Sequence, residues 1–403
     1  MSLRGAMRRP SGFSPVRSAL STHWVRWQEM GWHTLFVGFV LVGVGLLFLA
    51  EMAEADSFHD RSGRIRLDGH IKKLIVASPC LIAGMLVRPS WLRRNAWKLY
   101  LGCLVLLLAV PFIGDERNNA RRWIETPVFD IQPSEFAKMA IILILARVLC
   151  RNRLSTLEDW FGPTLLALIP MGLVTLQPDL GTAMTIVPVT LGMLYLAGAN
   201  GWLLSLLVGM GLVVGAGVWQ YEVGVKDYQL ERIDTWAESI EASALIDGRE
   251  GPGFHPYHAR MSIGEGHWRG RGLGRGIANE AGILPERESD SVFAVIAGET
   301  GFVGASAVLL LYGLLVVLLM IGASEVRDRF TRLVVGGVAI YFAAHVGVHT
   351  AVNLGLLPMT GLTLPLISTG GSSLLVSLTA LGLAVGLSAN QEASLDRDAF
   401  SRY

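Results

Sequence analysis

Residues 291–322 read SVFAVIAGETGFVGASAVLLLYGLLVVLLMIG, and their only charged side chain is that of Glu299. A helix needs about 20 mostly apolar residues to cross the hydrocarbon core of a bilayer. This stretch is longer than that, so it must tilt or extend beyond the membrane. The chain is therefore predicted to be an integral membrane protein.

Nine other stretches are apolar enough to cross a bilayer. The ten lie at about 33–50, 72–88, 97–113, 135–150, 162–177, 181–197, 202–220, 291–322, 332–356 and 372–390. The composition agrees, because 52% of the residues are hydrophobic, 17% are charged and the mean hydropathy is +0.47, whereas a soluble domain carries about 25% charge. We predict an all-α membrane protein with ten transmembrane helices and one large outer loop, residues 221–290, between spans 7 and 8.

Composition also excludes several other classes of protein. The apolar content is too high for a disordered chain, and three cysteines in apolar runs do not make a disulfide scaffold. A formal net charge of +1 creates no global field that would attract nucleic acid.

The distribution of lysine and arginine predicts the orientation, because these residues accumulate on the cytoplasmic side. Seventeen of the 34 fall on the side of the two termini. Eight of the others lie in the loop 221–290, which is too long for the rule to count, so nine remain. We expect both termini in the cytoplasm, with a basic segment at 1–32, a ten-span domain at 33–390 and a tail at 391–403.

Two polar clusters precede and open the fourth span. In NNARRW at 118–123, Arg121 and Arg122 stand beside Trp123. Guanidinium groups fit phosphate oxygens, but Trp and Arg also simply anchor chains at a membrane boundary. In QPSEFAK at 132–138, Pro133 and Ser134 are expected to start and cap a helix. Glu135 and Lys138 would then be either functional or a helix-surface ion pair.

Three further acids are candidates, each with a structural alternative. Asp179 in QPDLGT is either a site residue or a helix cap. Asp290 is the last acid before residues 291–322, where partial desolvation raises basicity and Arg287 is near; it could also cap the helix. Glu299 is an intramembrane acid, functional by default or structural.

Two segments rich in glycine also attract attention. Residues 263–276 contain six glycines and three arginines, which would let backbone approach a ligand closely, or form a flexible linker. Residues 353–373 predict a re-entrant, non-helical segment, which membrane proteins tolerate where it lines a cavity or is buried.

One of the last spans, residues 332–356, carries two further patterns. His345 and His349 have metal-site spacing, but no Cys or acid stands beside them, so we expect structural polar contacts. A small-residue surface could receive a partner helix or pack internally: Gly336, Gly337, Ala339, Ala343 and Ala344.

Taken in order, the motifs resemble those of the SEDS family (shape, elongation, division and sporulation), typified by RodA and FtsW. They are NNARRW, QPSEFAK, QPDLGTA, LPERESDSVF, NLGLLPMTG and LPLISTGGSS, and the resemblance covers about residues 33–390. It implies a ten-span peptidoglycan glycosyltransferase that polymerises lipid II on the outer face of the plasma (inner) membrane, for elongation or division.

The chain departs from the family pattern at several motifs. It has ESDS at 288–291 for HTDF, SIGEGH at 262–267 for AIGSGG, STGGSS at 368–373 for SYGGSS and GETG at 298–301 for EELG. His258 and Ala259 replace a Gln-Ser pair, whereas YQLERI at 228–233 stays close to the family's YQRERI. The sequence resembles a divergent branch.

The resemblance also implies a set of site residues. Asp290 would be the catalytic general base. The residues implied in substrate binding are Arg121, Arg122, Trp123, Gln132, Glu135, Lys138, Asp179, Arg287, Ser368 and Ser372. No cofactor is certain; Mg²⁺ or Mn²⁺ could assist at the pyrophosphate, although no dedicated metal cage is evident.

The implied partners are lipid II (a disaccharide-pentapeptide on undecaprenyl pyrophosphate), membrane lipid and a class B penicillin-binding protein, but no nucleic acid. A lipid flippase or transporter is a rival interpretation, since ten spans with Gly- and Pro-broken segments suit one. A non-catalytic cell-wall scaffold is another. Clustering of the charged motifs on one side favours chemistry at the membrane surface.

Overall fold

The computed structural model describes most of the chain between residues 30 and 390. The described residues are 30–58, 67–117, 120–126, 130–152, 154, 156, 158–220, 227–238, 253–280 and 284–390. The predicted basic segment up to residue 29, Asn118 and Asn119 of the NNARRW motif, and the predicted tail from residue 391 lie outside them.

Helices dominate the described residues. They are α1 Trp32–Phe58, α2 Leu67–Leu86, α3 Pro89–Ile113, α4 Pro133–Leu149, α5 Glu158–Leu176, α6 Leu180–Leu196, α7 Gly201–Gln220, α8 Asp227–Glu238, α9 Phe254–Glu265, α10 Ile277–Glu280, α11 Val292–Glu325, α12 Arg329–Asn353 and α13 Gly371–Ala389. Each of the ten predicted apolar stretches coincides with one of these helices, and the predicted loop 221–290 contains α8, α9 and α10.

Seven helices of the described part are long and apolar enough to cross a membrane: α1, α2, α3, α5, α11, α12 and α13. The chain is thus a mostly helical membrane-type protein. Helices α4 and α6 have 17 residues each, or about 25 Å at 1.5 Å per residue, less than the hydrocarbon thickness of about 30 Å. The count of ten spans therefore stays a prediction.

A small β-hairpin departs from the expected all-α fold. Strands β1 Asp115–Arg117 and β2 Ala120–Trp123 pair antiparallel. A further bridge joins Ile124 and Ile131. The hairpin leads the chain from α3 back to α4, and so fixes the positions of the two arginines on β2.

The core of the bundle is built around α12, which packs against α4, α6, α11 and α13. Helix α13 also packs closely on α2, where a Cβ added at Gly382 would lie 2.1 Å from the Leu81 carbonyl oxygen. Small residues allow such close approach of helix backbones, which is a main source of helix association in membranes.

Most of the small-residue surface of α12 faces this core. A Cβ at Gly336 would meet Leu196, one at Gly337 would meet Met193 and Ile142, and Ala339 is fully buried. At these positions the alternative of internal packing holds and a partner helix finds no room, whereas Ala343 of the same predicted surface is exposed.

A break in α11 explains the glycine-rich stretch. Gly301 has φ of +69° and ψ of −166°, so the helix hydrogen bonds are interrupted there. Arg271 and Gly272 donate backbone N–H groups to the carbonyls of Gly298 and Glu299, at 3.2 and 2.9 Å. Conversely, Phe302 and Val303 donate to the carbonyls of His267 and Trp268, at 2.8 and 3.2 Å.

The close approach predicted for this stretch is therefore to the protein's own backbone, where we had considered a ligand. A Cβ at Gly270 would lie 2.0 Å from the Glu299 carbonyl oxygen, and one at Gly301 would lie 2.3 Å from the Gly270 nitrogen. Buried backbone groups must be paired, so these two glycines allow one segment to repair the break in another.

Two arginines fasten the end of the bundle at which α3 and α12 begin. Arg93, in the first turns of α3, pairs with Asp328, and Asp328 caps α12 by accepting from the Thr331 N–H at 2.9 Å. Arg329 donates to the carbonyls of Asn152 and Ala197, at 3.0 and 2.9 Å. These contacts tie the turn before α12 to α3, to the α4–α5 connection and to the end of α6.

Candidate active site

Four connecting segments meet at one end of the bundle. They are the hairpin strand and the return to α4 (120–126 and 130–132), the α6 entry (177–180), the segment before α11 (284–291) and the non-helical segment 354–370. The last is buried in the protein at Leu364, Leu366 and Ile367, as predicted for non-helical backbone in a membrane protein.

Asp290 lies at the end of a tight turn. Three consecutive N–H groups, those of Ser289, Asp290 and Ser291, donate to the Glu286 carbonyl at 3.0, 3.0 and 3.3 Å. Asn353 of α12 donates its side-chain N–H to the Asp290 carbonyl at 3.1 Å. The residue at the helix entry is Ser291, so Asp290 is not the cap we had considered as its alternative role.

Gly361 shapes the wall of the site beside Asp290. It has φ of +71°, and a Cβ there would lie 3.2 Å from Asp290 Oδ2. A side chain at this position would both strain the backbone and crowd the carboxylate. Glycine therefore keeps space next to Oδ2 of the Asp290 carboxylate.

The electrostatic surroundings make Asp290 a stronger base than an ordinary aspartate. Burial raises the pKa of the Asp290 carboxyl to about 7, and the Glu286 carboxylate adds to that rise. A hydrogen bond from Ser289 and the positive charges of Arg122 and Arg232 act in the opposite direction. A carboxylate with a pKa near the working pH suits proton transfer.

A histidine that we did not single out supports the same turn. His255 Nε2 lies 2.6 Å from the hydroxyl of Ser291, which is fully buried. Burial, with Arg232 and His258 nearby, lowers the pKa of His255 to about 4. The ring is therefore neutral at neutral pH and acts as a hydrogen-bond partner.

The hairpin separates the two arginines of the NNARRW motif. Arg121 is exposed and Arg122 half-buried, because neighbouring side chains of a strand point to opposite faces. Arg122 Nη1 lies 4.0 Å from Asp179 Oδ1 and donates to the Pro178 carbonyl at 3.4 Å. Trp123, at the end of the same strand, is half-buried.

Asp179 is a junction between three segments. Its Oδ2 accepts hydrogen bonds from Gln132 at 2.7 Å and from Ser134 at 2.6 Å. Its Oδ1 accepts from the Thr182 N–H at 3.1 Å, which confirms the capping alternative. Ser134 is thus engaged with Asp179 and does not cap α4; the N-cap residue is Gln132, whose side chain makes no capping bond to the α4 backbone.

The two serines predicted in the site bind backbone. Ser368 donates to the Ser289 carbonyl at 2.7 Å. Ser372 donates to the Asp130 carbonyl at 2.6 Å and accepts from the Gln132 N–H at 2.9 Å. They therefore hold the turn that carries Asp290 and the entry to α4 against the N-terminal end of α13.

Glu135 and Lys138 form an ion pair, but inside the protein, whereas we had considered a pair on a helix surface. Lys138 Nζ lies 2.7 Å from Glu135 Oε1, and both residues are buried. His345 also contacts Lys138 Nζ, and His349 Nδ1 lies 2.7 Å from the Leu362 carbonyl. The expectation of structural polar contacts for the two histidines is confirmed.

Arg287 is directed to a different neighbourhood. Its guanidinium pairs with Asp56 near the end of α1 and donates to the Ala278 carbonyl at 3.2 Å. Glu299, fully buried, accepts a hydrogen bond from Asn279. Within the described residues, no group of three or more His, Cys, Asp or Glu is arranged to hold a metal ion.

Three contributors to the site were missed by the sequence analysis: Arg232, His255 and Gly361. Arg232 stands in YQLERI, a motif we had noted, and donates to the Met359 carbonyl at 3.3 Å. Gly361 ends the noted NLGLLPMTG motif. His255 lies three residues before the departure we had marked at His258, and nothing local to it signalled a contact with Ser291.

Comparison with models of protein families identifies the family of this chain. The model of the cell cycle protein family FTSW/RODA/SPOVE matches residues 32–393, nearly the whole described chain. The chain belongs to the FtsW/RodA/SpoVE family. The resemblance to SEDS proteins is thereby confirmed.

Relatives that carry the names FtsW and MrdB are similar to the chain. "Probable peptidoglycan glycosyltransferase FtsW" of Pseudoalteromonas translucida is 34% identical over 361 residues, covering 87% of each chain. "Peptidoglycan glycosyltransferase MrdB" of Escherichia coli is 33% identical over 297 residues, covering 72% of this chain and 76% of that protein.

Two solved structures share the fold. A chain of a peptidoglycan synthase complex that coordinates polymerization and crosslinking has a TM-score of 0.74 and 29% identity, over 90% of this chain and 98% of its own. The rod shape determining protein RodA of Thermus thermophilus has a TM-score of 0.65 and 28% identity, over 90% and 97%.

Proposed function

We propose that this member of the FtsW/RodA/SpoVE family is a peptidoglycan glycosyltransferase that polymerises lipid II into glycan strands. The reaction takes place on the outer face of the plasma (inner) membrane, and both termini are cytoplasmic. The observation that carries the proposal is Asp290, a carboxylate with a pKa of about 7, set where four segments meet and two arginines lower its proton affinity. The polymer serves cell elongation or cell division.

The chemistry we propose is a single inverting displacement. Asp290 accepts the proton of the acceptor GlcNAc 4-hydroxyl as the general base. The oxygen attacks C1 of the donor MurNAc, the bond from C1 to the pyrophosphate oxygen breaks, and undecaprenyl pyrophosphate leaves with the electron pair. The leaving group is a weak base, so no general acid is required.

Arg122 is the principal candidate for stabilising the charge of the leaving pyrophosphate. Its Nε is buried and has no hydrogen-bond acceptor within the described part of the chain, and a buried donor without a partner is costly. A phosphate oxygen would satisfy it. Arg121, exposed on the same strand, and Trp123 would contact the headgroup from the hairpin.

The remaining predicted residues support the site from behind. We propose that Gln132 and Asp179 hold the wall next to Arg122, and that Ser368 and Ser372 fasten the segments that carry Asp290 and Gln132. Glu135 and Lys138 would stabilise the interior below this wall. A divalent cation, Mg²⁺ or Mn²⁺, would be held mainly by the substrate's pyrophosphate oxygens, as Mg²⁺ sites commonly are.

A crosslinking partner fits the same function. New glycan strands must be joined through their peptides, and a similar structure belongs to a synthase complex that coordinates polymerization and crosslinking. We therefore propose a class B penicillin-binding protein, a single-span transpeptidase, as the partner of this chain.

The decisive experiment is polymerisation of labelled lipid II by the purified full-length chain in detergent and in vesicles. Glycan strands longer than one disaccharide are expected, and Asp290→Asn protein should make them about 10²–10⁴-fold more slowly. Movement of lipid II across vesicle membranes without polymer would instead support a flippase. If the chain neither polymerises lipid II nor moves it across the membrane, alone or with the partner, the scaffold interpretation is supported.

A further inference from the structure

A buried ion pair joins the first helix to the turn that carries Asp290. Arg287 and Asp56 pair with side-chain exposures of 6% and 3%. The two residues are 231 positions apart in the chain. Arg287 also donates to the Ala278 carbonyl of α10 at 3.2 Å, so its guanidinium fork is occupied on two sides.

Other residues of the turn are held by neutral hydrogen bonds from other elements. Thr369 donates its N–H to the Glu288 carbonyl at 3.1 Å, Ser368 donates to the Ser289 carbonyl, and Asn353 to the Asp290 carbonyl. Arg287 alone among them contributes a buried charge pair. Breaking a buried pair leaves an uncompensated charge, so this contact resists displacement more strongly than a neutral bond.

We propose that Asp56 and Arg287 are a positioning pair that aims the Asp290 carboxylate at the acceptor, and that Arg287 does not contact substrate. The inference rests on the proposed function, since it assigns these residues a role in the same reaction. A misplacement of about 1 Å in a catalytic group costs about 10²-fold in rate. A short turn fastened at Arg287, three residues before Asp290, transmits such a shift directly.

The two interpretations of Arg287 make opposite kinetic predictions. A substrate contact acts in the ground state as well, so its loss raises KM for lipid II. A positioning residue changes kcat while KM stays constant, because the acceptor still binds but meets a misplaced base. Asp56 sharpens the distinction, because its replacement frees the Arg287 guanidinium without removing it.

The experiment compares four variants in steady-state polymerisation. Asp56→Asn, which nearly preserves shape, should lower kcat about 10²-fold with KM within about twofold. Arg287→Lys keeps the charge but loses the fork, so its kcat should fall less, by about tenfold. The exchange Asp56→Arg with Arg287→Asp should recover at least part of the loss caused by Asp56→Arg alone.

The matched control is Arg93→Gln, which breaks the ion pair with Asp328 at the opposite end of the bundle. It should lower the melting temperature in detergent while kcat stays unchanged. Variants that melt below the assay temperature are compared at a lower temperature against wild type measured there.

A second readout does not depend on polymerisation. Infrared titration of the Asp290 carboxyl, with Asp290→Asn protein subtracted, should have a midpoint near the pKa of about 7 in the wild type. In Asp56→Asn the midpoint should fall, because a loosened turn admits water and burial is the main cause of the raised value. The shift is expected even if lipid II proves not to be the substrate.

Two outcomes overturn the proposal. A raised KM with unchanged kcat in Arg287→Lys would make Arg287 a substrate contact. A lowered melting temperature with unchanged kcat and unchanged Asp290 midpoint would reduce the pair to a structural one. If the wild type makes no polymer but the midpoint shifts, the assigned reaction fails and the positioning role stands.

Discussion

Individual residues around Asp290 determine its position and its pKa. The turn at Glu286 fixes its backbone, Gly361 leaves room for its carboxylate, and Arg122 and Arg232 limit how basic it becomes. A carboxylate that titrates near neutrality is ionised often enough to accept a proton and basic enough to hold it.

Replacement of Asp290 by Asn should reduce polymerisation by about 10²–10⁴-fold, the usual contribution of one positioned base. The protein should remain folded, because the turn is held by the Asp290 backbone and not by its carboxylate. Rates of lipid II polymerisation and melting curves in detergent test both statements. Near-normal turnover in Asp290→Asn protein would reject Asp290 as the base.

The pH dependence should follow Asp290 directly. The base works deprotonated, so the rate should rise as pH increases through about 7. Glu286 raises the pKa of Asp290, so Glu286→Gln should move the rising limb to lower pH without changing the maximal rate more than about threefold. If the rising limb of the pH–rate profile stays at the same pH in Glu286→Gln, a group other than Asp290 controls the profile.

Arg122 and Arg121 should differ in effect although they are neighbours. Arg122→Ala should lower kcat/KM for lipid II by about ten- to a hundredfold, the value of a charge-assisted hydrogen bond, with kcat falling because the charge of the leaving group loses its partner, and Arg122→Lys should do so less. Arg122→Ala should also shift the rising limb of the pH–rate profile to higher pH, because Arg122 lowers the pKa of Asp290. Arg121→Ala, on the exposed face of the strand, is the matched control with a smaller effect.

At the scale of elements, helix α11 is the clearest case of two segments that depend on each other. Its break at Gly301 is closed by backbone groups of residues 267–272. Neither segment would satisfy its hydrogen bonds alone, so we expect them to fold together and to lose structure together.

Gly301→Ala should therefore destabilise the protein by at least about 1–3 kcal/mol, the usual cost of a residue held in a disfavoured backbone region. The clash of the added Cβ with the Gly270 nitrogen should add to this cost. Gly313→Ala in the same helix has open space around it and should be neutral or slightly stabilising. Thermal unfolding in detergent compares the two. Equal melting temperatures would contradict the account of the break.

The elements predicted well from sequence are those whose signal is local. Ten apolar stretches gave the positions of ten helices, and the cap at Asp179 followed from its place before Leu180. The hairpin and helices α8–α10 were missed, because short polar elements have little apolar periodicity of their own. The Asp56–Arg287 pair joins residues 231 positions apart, and no local pattern reports such a pairing.

At the scale of the whole molecule, charged side chains fasten both ends of the bundle. At one end, Arg93 pairs with Asp328 and Arg329 donates to backbone carbonyls. At the other end, Arg287 pairs with Asp56 and donates to a backbone carbonyl, and there the connecting segments meet around Asp290.

A partner transpeptidase should raise the polymerisation rate above that of the chain alone, since a partner favours whichever state it binds better. Co-expression and pull-down with each class B penicillin-binding protein of the same cell, followed by rate measurement, tests this. Because Gly337 is packed internally, Gly337→Leu should impair folding rather than the complex alone, while Gly347→Leu, at an open position, should not impair folding. If no class B protein copurifies or alters the rate, the complex is rejected.

The repair of the α11 break also constrains how this protein can evolve. Four hydrogen bonds join residues 267–272 and 298–303, two donated from each segment. Inserting or deleting one residue in either segment would therefore misalign donors and acceptors. The segment resembles a linker in composition but should tolerate no change in length. Its exposed side chains take no part in these bonds, so their replacement should leave the bonds in place.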